Sequence, residues 1–159
     1  MTNKRISFFV TPTLFAALAI FVATATADEH SGTWKMSPNK SKYSPGPALK
    51  NLTETIASDE NSYKVEANGT DGDGKPMHIE FSAKFDGKDY PATGVPWADA
   101  VSVKRVNACT VQAIQRKRGQ VMMTITCEVS TDAKTHTCTL KGKDRQGRAV
   151  NNLVVFDKQ

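Results

Sequence analysis

Three runs of the chain alternate apolar and polar residues with a period of two. Met77, Ile79, Phe81, Ala83 and Phe85 alternate with His78, Glu80, Ser82 and Lys84. Val121, Met123, Ile125, Cys127 and Val129 alternate with Met122, Thr124, Thr126 and Glu128, and Cys138 and Leu140 stand between Thr137, Thr139 and Lys141. Successive side chains of a strand point to opposite faces, so each run predicts a strand with one buried and one solvated face. These runs give strands at 76–85, 120–129 and 136–141, and weaker patterns add 31–36, 51–57, 62–68, 98–106, 109–116 and 149–157. Gln112, Ala113, Gln115 and Arg116 are good helix formers. The alternation of Cys109, Val111 and Ala113, and the turn at Gly119, favour a strand there instead. Turn residues separate the strands, and Gly69-x-Asp-x-x-Gly-Lys75 returns as Gly142-x-Asp-x-x-Gly-Arg148, which reads as one hairpin turn used twice. The segment 37–47 carries three prolines and reads as an irregular crossing over one end. Many short strands at this spacing predict an all-β antiparallel meander, closed or nearly closed into a barrel.

The N-terminus does not belong to that pattern. Lys4 and Arg5 precede an apolar run from Ile6 to Ala25, and Ala25-Thr26-Ala27 is a small-residue cleavage site. A cleaved signal peptide at 1–27 is expected, followed by a single β-barrel domain at 28–159. Loss of Lys4 and Arg5 lowers the formal charge from +5 to +3. No other run is long and apolar enough for a transmembrane helix. Leu, Ile, Val and Phe make up 22 of the 132 mature residues. Composition that poor goes with disorder only when net charge is high, which it is not. Eleven Val and twelve Thr favour strands around a thin core that a disulfide would help.

Export implies an oxidising compartment, so the three cysteines bear on the fold. Placing Gly119 in a three-residue hairpin pairs Arg116 with Gln120 and sets Cys109 opposite Cys127. A loop at 130–135 pairs Val129 with His136 and sets Cys127 opposite Cys138. Register therefore does not choose between the two bridges. The looser 130–135 connection gains more from a staple, so Cys127–Cys138 is the expected disulfide, with Cys109 free and buried. A zinc site of Cys109, Cys127, Cys138 and His136 has suitable ligand types, but the usual spacing pairs are missing. No redox Cys-x-x-Cys is present, and a catalytic cysteine beside His136 is the minor alternative.

Little else points to chemistry. Asp71-Gly-Asp-Gly-Lys-Pro76 puts Lys75 and Ser82 where a calcium loop needs oxygen ligands, so it reads as a turn. No nucleophile elbow, phosphate loop or dinucleotide motif occurs, and no pair of carboxylates is brought together by spacing. Lys104-Arg105 and Arg116-Lys-Arg118 lack interleaved aromatics, which argues against nucleic acid. Asn51-Leu-Thr53 and Asn68-Gly-Thr70 are glycosylation sequons, relevant only in a eukaryotic secretory pathway.

Ser31-Gly-Thr-Trp-Lys35 resembles the Gly-x-Trp opening of the first strand in lipocalin-like (calycin) barrels. There the Trp closes one end of the barrel and a basic residue from the last strand packs over it; the resemblance gives these parts to Trp34 and Lys158. A longer likeness, across most of the mature chain, is to small secreted bacterial proteins of unknown function. It is carried by Ser31-Gly-Thr-Trp-Lys35, Lys40-Ser-Lys-Tyr-Ser-Pro-Gly-Pro47, Asp73-Gly-Lys-Pro76, Asp86-Gly-Lys-Asp-Tyr-Pro91, Asn151-Asn152 and Asp157-Lys158. It implies a bacterial, exported protein and no activity.

The expected fold is thus a lipocalin-like barrel, periplasmic or extracellular, with no cofactor and no bound metal. The expected function is to hold a small apolar or amphipathic ligand, touched by Trp34, Phe81, Tyr90 and Trp97. Trp34 has a core plug as its plainer role, and Tyr43, Tyr90 and Trp97 have loop packing. The alternative is a non-catalytic structural or surface-associated protein of the cell envelope. An enzyme is not expected.

Overall fold

The computed structural model describes residues 28–144 and 146–159. The segment read as a signal peptide lies outside them. Ten strands follow in chain order: β1 Gly32–Met36, β2 Asn51–Ser58, β3 Ser62–Thr70, β4 Pro76–Lys84, β5 Tyr90–Thr93, β6 Ala100–Asn107, β7 Thr110–Lys117, β8 Gln120–Val129, β9 Thr135–Lys143 and β10 Ala149–Lys158. No helix occurs among the described residues. Each strand pairs antiparallel with its neighbours, and β1 pairs with both β2 and β10, so the sheet closes. Closure leaves no strand at the end of the sheet, which is how all-β folds avoid edge-to-edge association.

The alternation is that of the observed faces. Ile79, Phe81 and Ala83 point inward while His78, Glu80, Ser82 and Lys84 are exposed. The outer face of β8 and β9 pairs Thr126 with Thr139 and Glu128 with Thr137, a lining of β-branched polar side chains suited to a pleated surface. The repeated turn is one structure used twice. In each, an Asp N–H donates to the carbonyl four residues on, the glycine N–H donates back to the Asp carbonyl, and the Asp carboxylate accepts from the following basic residue's N–H, Lys75 at 2.8 Å and Arg148 at 2.9 Å.

Five expectations need correction. A short strand, β5, lies where only a turn and loop were read. Pro91 supplies no N–H, and just two residue pairs join β5 to each neighbour. The β7–β8 hairpin has a two-residue turn, not three. Arg118 and Gly119 both have positive φ, 51° and 79°, the pattern whose twist matches the flanking strands. Lys117 therefore pairs with Gln120, and a bulge at Gln115/Arg116 adds a further shift, so Val111, not Cys109, faces Cys127. Because the total shift is two residues, Cys109 keeps its face but moves past the end of the β7–β8 ladder. It is half-buried there, not buried. Val121, beyond the bulge, is exposed and not part of the inward face. Finally, 37–47 does not simply cross an end. It runs beside β10, with Lys42 bridging to Leu153, before 45–49 bends over the barrel.

Candidate functional site

The meander gives the barrel two unlike ends. At one lie the leader 28–31, the turns 59–61, 85–89, 108–109 and 130–134, and the C-terminus. At the other lie 37–50, 71–75, 94–99, 118–119 and 144–148.

The first end is closed by aromatic packing. Trp34 is fully buried and its ring lies 5.2 Å from that of His136, which lies 5.8 Å from Phe156 and 5.4 Å from His30. The leader folds back as a plug. Asp28 accepts from the His30 N–H at 3.0 Å and pairs with Arg105, and the Trp34 indole N–H donates to the His30 carbonyl at 2.8 Å. Arg105 in turn stacks 4.2 Å over Phe85. From the outside, Lys158 Nζ stands 4.9 Å from the Trp34 ring centre. Neither ring nitrogen of His30, nor Nδ1 of His136, has a hydrogen-bond partner among the described residues. Burial pushes both imidazoles below the usual range, His136 to about 3, with the neighbouring His30 a smaller cause for His136. They are neutral packing groups at ordinary pH.

Above this plug the barrel is hollow. A cavity of about 420 Å³ opens between the loops 45–49, 96–97 and 144–148. Its walls are mainly apolar and mix small with large side chains, including Val65, Ala67, Phe81, Ala113, Ile125 and Leu140. The reason is geometric. Barrel diameter grows with strand number, eight strands just fill with side chains, and ten strands carrying Ala and Val do not. Among the wall's polar groups, Gln115 accepts the Trp97 indole N–H at 2.7 Å, Asn152 accepts the Ser44 N–H at 2.8 Å, and the Tyr43 hydroxyl meets Met36 Sδ at 3.1 Å. Glu54 differs. It lies on the inward face of β2 between Leu52 and Ile56, opposite Trp34 on one side and Ala67 on the other. It makes no hydrogen bond or ion pair with any described residue, and what surface it keeps faces the cavity. Burial raises its carboxyl to about 7.

The disulfide joins Cys127 and Cys138 in the cavity wall, directly opposite each other on β8 and β9. His136 Nε2 lies 3.8 Å from Cys138 Sγ, and these three residues' donor atoms fall within 4.8 Å of one another. With both sulfurs bonded to each other, neither is a thiolate ligand for a metal.

The four aromatics expected around a ligand do not converge. Phe81 and Trp97 line the cavity, Phe81 in its wall and Trp97 at its mouth. Trp34 sits in the plug beneath it. Tyr90 lies toward the closed end, its hydroxyl donating to Asp86 at 3.0 Å. Glu54 and His30 went unnoticed in the sequence. Glu54 had a signal, a charged residue at the centre of the alternation Leu52-x-Glu54-x-Ile56. His30, in a polar leader, had none.

Fold and site together define a closed ten-stranded β-barrel with an apolar interior cavity that opens at one end. No protein-family model matches the chain, and no curated protein matches it.

Proposed function

We propose that this protein is a small exported barrel that carries an apolar or amphipathic molecule in its interior. The observation that carries this reading is the cavity itself. About 420 Å³ lined by aliphatic and aromatic side chains falls within the 300–1,000 Å³ of small-molecule sites, which are typically apolar with a few placed polar groups. The Cys127–Cys138 disulfide supports export to an oxidising space, periplasmic or extracellular. Lys158 over Trp34 supports kinship with lipocalin-like barrels, while ten strands rather than eight depart from them.

The test is uptake of N-phenylnaphthylamine by the purified mature protein, read by probe emission and Trp quenching, beside native mass spectrometry for co-purified small molecules. Saturable uptake at micromolar concentrations, lost in a folded Ala113→Trp variant that fills the cavity, is expected. A folded protein that takes up no apolar probe at tens of micromolar and carries no small molecule would overturn the reading. A structural role in the cell envelope would then stand in its place.

A further inference from the structure

The geometry points to a cationic amphiphile as the ligand: a molecule with an apolar body and one protonated amine that pairs with Glu54 inside the barrel. This rests on the cavity being a binding site, and names the chemistry it selects.

Glu54 is placed midway along β2, not at the rim. Its strand neighbours on the same face, Leu52 and Ile56, are buried and apolar, and so is Ala67 opposite. Glu54 is half-buried, with its remaining surface facing the cavity, so its carboxylate has given up much of its water without gaining a partner among the described residues, which disfavours the charged form. The other charged and titratable groups described around the cavity do not compensate it. Tyr43 and Tyr63 are the phenols that feel its charge, and burial, with Glu54 a smaller cause, holds both above the usual phenol range, so both stay neutral. His136, in the plug against Trp34, is neutral. At the mouth, Arg148 is paired with Asp144 at 2.6 Å. Lys158 lies outside the plug, over the far side of Trp34. Among the described residues the barrel therefore holds one acceptor-only site with no cation beside it, next to neutral aromatic rings. A ligand ammonium supplies what is missing: a charge-assisted hydrogen bond to the carboxylate and a positive charge for ring faces. A ligand carboxylate would instead meet a like charge, and a neutral alcohol would gain only the apolar walls.

The experiment compares decylamine, decanol and decanoate, each displacing N-phenylnaphthylamine from the intact mature protein at about pH 8. The expected order is amine, then alcohol, then acid, with the amine ahead of the alcohol by roughly tenfold or more. In the native protein this preference should grow as pH rises from about 6 to about 8, because Glu54 ionises across that window. In Glu54→Gln the amine should fall to the alcohol's affinity while the alcohol is unchanged. Equal affinities for amine and alcohol in the native protein, or a preference that survives Glu54→Gln or ignores pH, would overturn the inference and leave the apolar carrier intact. Failure of all three to displace the probe, or of the probe to bind, would overturn the carrier reading as well. Should Glu54→Gln not fold, the pH dependence in the native protein decides alone.

Discussion

Acidification from about pH 7.5 to about pH 5 should change the stability of the native protein very little, because two buried groups titrate in opposite senses. His136 has a folded pKa near 3 against 6.5 for the free side chain. The unfolded chain takes up the proton first, so stability present above 6.5 is lost as pH falls, by roughly 2 kcal/mol at about pH 5. Glu54 has a folded pKa near 7 against 4.5. Here the folded chain binds the proton first, so stability is full below 4.5 and is lost as pH rises through 7. The same acidification therefore restores about 2 kcal/mol. The depressed His30 acts in the direction of His136.

Single substitutions should unmask each half. Glu54→Gln should lose about 2 kcal/mol or more between the two pH values, and His136→Phe should gain on the order of 1–2 kcal/mol. The assay is urea unfolding followed by Trp emission. Each variant is compared with itself at the two pH values, so that altered packing cancels. Asp59, Asp86, Asp132 and Asp144 are held below the usual carboxylate range, chiefly by hydrogen bonds, Asp144 by those to Arg148 and Gln146 against an opposing desolvation. Their titration falls below the window. A Glu54→Gln protein with the native pH slope, or a His136→Phe protein that still weakens on acidification, would refute the reasoning.

Replacing Cys127 and Cys138 together by Ser should cost roughly 3 kcal/mol in denaturant unfolding, the chain-entropy value for a bridge spanning 11 residues, and a loss below about 1 kcal/mol would contradict it. Gly94→Ala should be at least about 2 kcal/mol worse than Gly119→Ala. Both glycines have positive φ, but a Cβ on Gly94 would meet the His78 carbonyl oxygen, whereas one on Gly119 would meet open space. N-terminal sequencing of exported protein should begin at Asp28, and material beginning at Met1 would contradict the cleavage site.

What the sequence could reveal depended on whether a feature was local. The alternation in β4, β8 and β9 belongs to single strands, so those strands and their inward faces were legible. The paired Asp-x-x-Gly turns were legible for the same reason. The Cys127–Cys138 bridge follows from one loop length, since Val129 does pair with His136. Cys109 was misplaced because its register depended on two irregularities at once, a left-handed Arg118 and a bulge at Gln115/Arg116, and neither has a compositional signature. Strand β5 has too few residues to show a period. The plug was hidden because His30 is buried by partners from distant parts of the chain, Tyr63 and His136.

The scarcity of large apolar residues has a structural meaning. A barrel of ten strands encloses more room than one of eight, and an inner wall that includes Val65, Ala67, Val101, Val111 and Ala113 does not fill it. Stability must then come from elsewhere: a closed ladder, the disulfide across β8 and β9, and the aromatic plug at one end. These supports lie around or beneath the hollow, and none of them fills it. A molecule that enters supplies the apolar contacts that the wall lacks, and it binds only the folded chain. On the proposed carrier reading ligand binding and folding are linked, and ligand at a hundred times its dissociation constant would add about 2.7 kcal/mol. Glu54 sharpens the same linkage. Its burial without a partner weakens the empty barrel above pH 7, where a paired ammonium would relieve the cost. The empty protein is thus least stable in the pH range where a cationic ligand would bind best, and a thermal shift on loading should be larger at about pH 8 than at about pH 6.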